Sequence, residues 1–120
     1  MSWQCRLIEI DPDMPCDFQT MEIGTMWYGP IEYAGHDSIM GEDYKRNRAG
    51  QRPLWIRLPG NVVHCIDGAS YNNGQWGAGW TVTGDPPNIT VSPSINHIGI
   101  YHGWIRGGVV TDDCEGRAYP

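Results

Sequence analysis

The chain has 120 residues and a formal net charge of −6, with sixteen Gly, nine Pro, six Trp, six Tyr and a single Phe. That length suits one domain around one core, spanning residues 1–120. The acidic balance speaks against a nucleic-acid ligand: the one basic cluster, Lys45, Arg46 and Arg48, follows Glu42 and Asp43 and reads as a solvated helix face. No run approaches the roughly 20 apolar residues of a membrane-spanning helix. The N-terminus also lacks the basic and apolar regions of a signal peptide, so a cytoplasmic protein is expected, in a host cytoplasm if a phage encodes it.

Turn residues cut the chain into short pieces. Gln4 to Ile10 alternates as a strand does and stops at Asp11-Pro12-Asp13. Met21 to Tyr28 reads as extended, with Gly24 as a bulge, and ends at Gly29-Pro30. Asp37 to Arg48 is the predicted helix, with Asp37 or Ser38 as cap, acidic residues early and basic residues late, in the order that the helix dipole favours. Five short strands follow: Pro53 to Leu58, Val62 to Ile66, Gly79 to Thr83, Ile89 to Val91 and Gly99 to Ile105, with Val109-Val110 as a sixth. Pro59-Gly60-Asn61 and Arg106-Gly107-Gly108 are the predicted hairpin turns. This pattern predicts a mostly β (α+β) domain, a small sandwich or partly open barrel of short antiparallel strands with one short helix.

The four cysteines, Cys5, Cys16, Cys65 and Cys114, are scattered without the short spacing of a zinc or redox motif, and free thiols are expected. Among the histidines, His36, His64, His97 and His102, no two share the close spacing on one element that a metal site favours. Cys65 adjoins His64, but strand geometry sends neighbouring side chains to opposite faces. No metal or cofactor is expected.

Nucleophilic chemistry has the clearer candidates. Ser94 follows Pro93, which fixes its own φ and makes a stiff lead into a strand or turn. A serine there also serves as an ordinary turn residue. Eight residues on, His102 lies in Ile100-Tyr101-His102-Gly103-Trp104-Ile105, where alternation puts Ile100, His102 and Trp104 on one face. A histidine among such neighbours is either a hydrogen-bonded core residue or a base. Gly103 beside it would let a substrate backbone approach. Asp67, ending an apolar strand before Gly68, is the leading candidate to orient the histidine, although Asp-Gly is also good turn chemistry. Asp85, before two prolines, and Asp112 and Asp113 read as turn and tail charges.

These residues resemble a family of small bacterial and phage domains. The resemblance rests on Trp80-Thr81-Val82-Thr83, on Pro87 through Ile95, and on Tyr101-His102-Gly103-Trp104-Ile105-Arg106-Gly107-Gly108-Val109. One branch accompanies bacterial ubiquitin-like conjugation operons, where its members are regarded as peptidases acting on the ubiquitin-like protein. A phage branch, often labelled "ammonia monooxygenase", is similar over most of the chain. It shares Gly24 to Tyr28, Arg52 to Pro59, Ile66 to Ser70 and Gly84 to Pro87. The resemblance implies Ser94 and His102 as the catalytic pair. The chain lacks the Cys-rich, zinc-knuckle-like segment of the conjugation-linked branch, and no copper or iron ligand set supports a monooxygenase.

Three functions follow as expectations. The first is a serine-type hydrolase or peptidase: Ser94 as nucleophile, His102 as base, Asp67 behind it, and backbone N–H groups near Ser94 to Asn96 or Gly103 as an oxyanion hole. Its substrate would be a protein or peptide, such as a ubiquitin-like tail. The second is a non-catalytic phage module that binds a host-defence component or sits in the virion, anchored by its many Trp and Tyr residues. The third is a metal-dependent hydrolase using His102 with His64 or His97. Ser94 Oγ within about 3.5 Å of a His102 nitrogen, in an open groove, favours the first, whereas a buried His102 donating to a backbone carbonyl with Ser94 far off favours the second.

Overall fold

The computed structural model describes residues 2–10, 18–29, 40–47, 51–69, 71–72, 75–76, 79–97 and 100–112. In chain order the strands are β1 (Ser2–Gln4), β2 (Arg6–Leu7), β3 (Thr25–Tyr28), β4 (Leu54–Leu58), β5 (Val62–Cys65), β6 (Tyr71–Asn72), β7 (Gln75–Trp76), β8 (Thr81–Thr83), β9 (Thr90–His97), β10 (Tyr101–Arg106) and β11 (Val109–Asp112). One 3-10 turn, Phe18–Thr20, precedes β3, and the helix α1 (Glu42–Asn47) lies between β3 and β4. The chain is mostly β with one short helix, as its turn-rich pattern predicts.

Two sheets carry the fold. The first has the order β1-β11-β10-β9-β8 and the second β2-β3-β4-β5, while β6 and β7 form a separate ribbon. All pairings are antiparallel except β2 with β3, which run parallel. The exception arises at Cys5. The extended N-terminal segment leaves the first sheet after Gln4 and enters the second at Arg6, with Cys5 N–H donating to Gly108 O at 2.8 Å and Arg6 N–H to Gly24 O at 3.1 Å. The predicted strand Gln4 to Ile10 is therefore split at a corner between sheets. Burial pushes the Cys5 thiol up to about 11, which keeps it protonated and unreactive.

Of the two apolar clusters among the described residues, Met40 with Tyr44 forms the smaller, and the larger fills the space between the sheets. Met26, Leu54, Ile56, Leu58, Val62 and Ile66 face Ile89, Val91, Ile95, Tyr101, Ile105 and Val110 across it. Each such buried aliphatic side chain contributes about 1.5–3 kcal/mol relative to exposure. The alternation is visible along β10, where Tyr101, Gly103 and Ile105 are buried while His102 and Trp104 are half-buried and Arg106 is exposed.

Both predicted hairpin turns form. Leu58 pairs with Val62 around Pro59-Gly60-Asn61, and Arg57 donates to Asn61 Oδ1 at 2.9 Å to brace that turn. Arg106 pairs with Val109 around Gly107 and Gly108, whose φ angles of 55° and 78° suit a two-residue turn with both centres left-handed. The predicted helix begins later than expected within the described residues, at Glu42, while its candidate caps Asp37 and Ser38 lie outside them.

The largest departure is β9. The sequence pattern predicts a strand over Ile89 to Val91, yet the strand runs from Thr90 through Pro93 to His97. Register explains how. Tyr101 pairs with His97, His102 with Asn96 and Gly103 with Ile95, but Ile105 then pairs with Val91. Two extra residues of β9 are accommodated opposite Trp104, in the stretch that contains Pro93. A bulge is where a sheet tolerates a residue without an N–H.

Candidate functional site

The bulge in β9 sets up the site. Ser94 lies in it, half-buried, followed by Ile95, which is buried in the core, and Asn96, which is exposed. Cross-strand partners point to the same side of a sheet, so Asn96 and its partner His102 share the outer face. Ser94, two residues before Asn96, shares it too. The pair predicted from sequence meets there: Ser94 Oγ lies 3.1 Å from His102 Nε2. In the tautomer with Nε2 unprotonated, the hydroxyl donates and the imidazole accepts, which is the arrangement a general base requires.

Trp104 borders this face one step along β10. Arg106 stacks on its indole, with the guanidinium carbon 4.0 Å from the ring centroid. Ile100, which precedes β10, is 51% exposed. The histidine thus stands on a solvent-facing surface with apolar neighbours rather than in the core.

Two sequence expectations are corrected. Gly103 does not open space for a substrate, because it belongs to the core-facing set of β10 and is buried. A Cβ at Gly103 would collide with Thr111 O and stand 2.5 Å from Tyr101 Oη. Those two atoms are themselves hydrogen-bonded, with Tyr101 Oη donating to Thr111 O at 2.6 Å. The glycine is required by close packing of β10 on β11.

Asp67 does not join the pair. It lies just past β5 in the second sheet, 2% exposed, and its Oδ2 accepts the Leu54 N–H at 2.7 Å. Its carbonyl accepts from Gly41 N–H at 2.7 Å. Among the described residues Ser94 is the only hydrogen-bond partner of the His102 ring. Asp67 thus organises the start of β4 and the approach to α1 through contacts with residues distant in the chain. Asp85 does sit in a turn, accepting Asn88 N–H at its carbonyl, whereas Asp112 is half-buried at the end of β11 and is not a solvated tail charge. Asp113 lies outside the described residues.

A second histidine pair lies behind the first, on the core side. His97 Nε2 and His64 Nδ1 are 3.0 Å apart and join the end of β9 to β5. One ring donates and the other accepts. Trp80 meets His64 edge-on with centroids 4.7 Å apart, and its Nε1–H points at Ser94 O over 3.5 Å. His64 Nε2 is buried and has no hydrogen-bond partner among the described residues. Burial, with the neighbouring His97 as a smaller cause, pulls the His64 pKa down to about 3, and burial lowers that of His97 as well. Both rings are therefore neutral at ordinary pH.

This pairing separates His97 and His64 from His102, which faces the other side of the sheet. Among the described residues no three His, Cys, Asp or Glu side chains converge as metal ligands. His36, Cys16 and Cys114 lie outside the described residues. Among these residues Cys5 is a buried free thiol. No helix among them is long and apolar enough to cross a membrane.

Comparison adds no relative: no family model, no curated protein and no solved structure matches the chain. Sequence reasoning passed over the Asn96 side chain, and the missing signal was the length of β9. Once the strand is known to reach His97, the spacing of Ser94 and Asn96 puts both on one face.

Proposed function

We propose that this domain is a serine-type hydrolase acting on a peptide, with Ser94 as nucleophile and His102 as general base. The observation that carries the reading is the 3.1 Å contact between Ser94 Oγ and His102 Nε2 on a solvent-facing side of the first sheet. The contact is within hydrogen-bonding reach, and the two residues come from adjacent strands whose register holds them. His102 would take the hydroxyl proton as Ser94 attacks a carbonyl carbon and return it to the leaving group. The resemblance to small bacterial and phage domains linked to ubiquitin-like conjugation supplies the substrate class, an exposed peptide tail. Asp67 has no part in this scheme, and the pair works without a carboxylate among its described partners.

The test is cleavage of a ubiquitin-like protein carrying a C-terminal fusion, by the wild type and by Ser94→Ala and His102→Ala separately. Each substitution should lower turnover by at least about a thousandfold, as loss of a nucleophile or its base does. Turnover that survives Ser94→Ala refutes the reading.

A second reading, a phage interaction module without catalysis, draws on the same face. Exposed Ile100 and half-buried Trp104 under Arg106 make an apolar and cationic surface of the kind that anchors partners. It predicts that Ser94→Ala keeps the biological phenotype while Trp104→Ala destroys it.

A further inference from the structure

Attack by Ser94 on a carbonyl generates an oxyanion, and the proposed hydrolase needs a donor aimed at it. The strand register limits the choice. On its inner edge β9 is committed to the ladder with β10, through pairs from Tyr101–His97 to Gly103–Ile95. Toward β8 its pairing ends at Ser92, and the outer face adds the side chains of Asn96, Trp104 and Arg106 near Ser94 and His102. Arg106 lies four residues along β10 from His102, roughly 13 Å at about 3.3 Å per residue, and it is stacked on Trp104. Asn96 stands directly across from His102 and two residues along from Ser94. Its side chain is exposed and forms no hydrogen bond among the described residues. A primary amide carries two N–H donors.

We infer that Asn96 is a further catalytic residue, its side-chain amide donating to the oxyanion formed on the carbonyl that Ser94 attacks. The inference rests on the hydrolase reading and extends it. Ser94 and Asn96 are about 6–7 Å apart along the strand, which leaves room for a tetrahedral carbon between the hydroxyl oxygen and the amide nitrogen. In the step, Ser94 Oγ bonds to the carbonyl carbon and its proton passes to His102 Nε2. The carbonyl π pair moves onto oxygen, where Asn96 Nδ2–H donates to it. Collapse re-forms the carbonyl and expels the leaving group, which takes the proton from His102. Water then adds to the acyl-Ser94 by the same route and releases the acid and the free serine. Nucleophile and donor thus sit on β9 and the base on β10.

The experiment measures kcat and KM for p-nitrophenyl acetate, together with mass-spectrometric labelling of Ser94 by a fluorophosphonate. The proteins are the wild type, Asn96→Ala, Asn96→Gln and Ser94→Ala. Asn96→Ala should lower kcat roughly 10²–10³-fold with little change in KM, the cost of removing one oxyanion donor. Asn96→Gln, which keeps the amide, should recover part of the loss. Because Asn96 is exposed, thermal melting should stay at the wild-type value, so the loss cannot be ascribed to folding. An Asn96→Ala enzyme with kcat near wild type, while Ser94→Ala is dead, overturns the Asn96 role and leaves the hydrolase reading intact. A loss that appears only in KM overturns it equally. A wild type that neither turns over the ester nor labels at Ser94 removes the hydrolase reading and this inference together.

Discussion

Acidification should destabilise this domain through His64, a histidine apart from Ser94 and His102. His64 is buried against Trp80 and hydrogen-bonded to His97, and its pKa falls from 6.5 to about 3, chiefly by desolvation and secondarily by His97. In the unfolded chain the imidazole takes up a proton at its ordinary value, so between about pH 6.5 and about pH 3 the unfolded state binds more protons than the folded one. Stability therefore falls as pH falls through that window and is flat for this group above about pH 7.5. Integrating the linkage for His64 alone, a drop from about pH 7.5 to about pH 5 costs about 2 kcal/mol. The full shift corresponds to about 5 kcal/mol, reached only near pH 3. His97 is displaced in the same direction by burial and adds to the same slope. Equilibrium urea unfolding at the two pH values reads the effect. With an m value of about 2 kcal/mol/M, the midpoint should drop by about 1 M. His64→Gln, whose amide can still meet His97, should remove most of that slope. A wild-type midpoint that does not move between the two pH values, or a slope that survives His64→Gln unchanged, refutes the argument that this pair is neutral and desolvated in the fold.

Two further substitutions test the structural corrections. Gly103→Ala forces a methyl group against Thr111 O and Tyr101 Oη, so β10 and β11 must separate. We expect a loss of about 3 kcal/mol, the upper range for overpacking, read as a fall in melting temperature of roughly 10 °C; a melting curve unchanged from the wild type would show that the strands can yield. Asp67→Ala strands the buried Leu54 N–H and should cost about 1–3 kcal/mol in chemical denaturation while leaving kcat for the proposed hydrolysis unaltered in the folded protein. A collapse of kcat at full folding would instead return Asp67 to the role of orienting His102.

Much of the architecture was legible in the residues because it rests on local rules. Turn signals such as Pro59-Gly60-Asn61 and Gly107-Gly108 specify hairpins through backbone conformation, and strand alternation separates Tyr101 and Ile105 from His102 and Trp104 without reference to any partner. The pair of Ser94 and His102 was also visible as chemistry, since both residue types and the strand that carries His102 could be read directly. Their meeting was not. It depends on a bulge that lets β9 pass Pro93 and continue to His97, and a bulge is decided by what the neighbouring strand offers rather than by the proline itself. The same applies to Gly103 and Asp67. Each has a local signature compatible with a site, and each is claimed by a long-range contact, Gly103 by Thr111 and Asp67 by Leu54. His64 and His97 stand 33 residues apart and become partners only when the second sheet closes over the first. Sequence by itself determined which residues could be strands, turns and chemical groups. The tertiary structure decided which of those groups share a face, because register and sheet packing are set by pairings between distant segments.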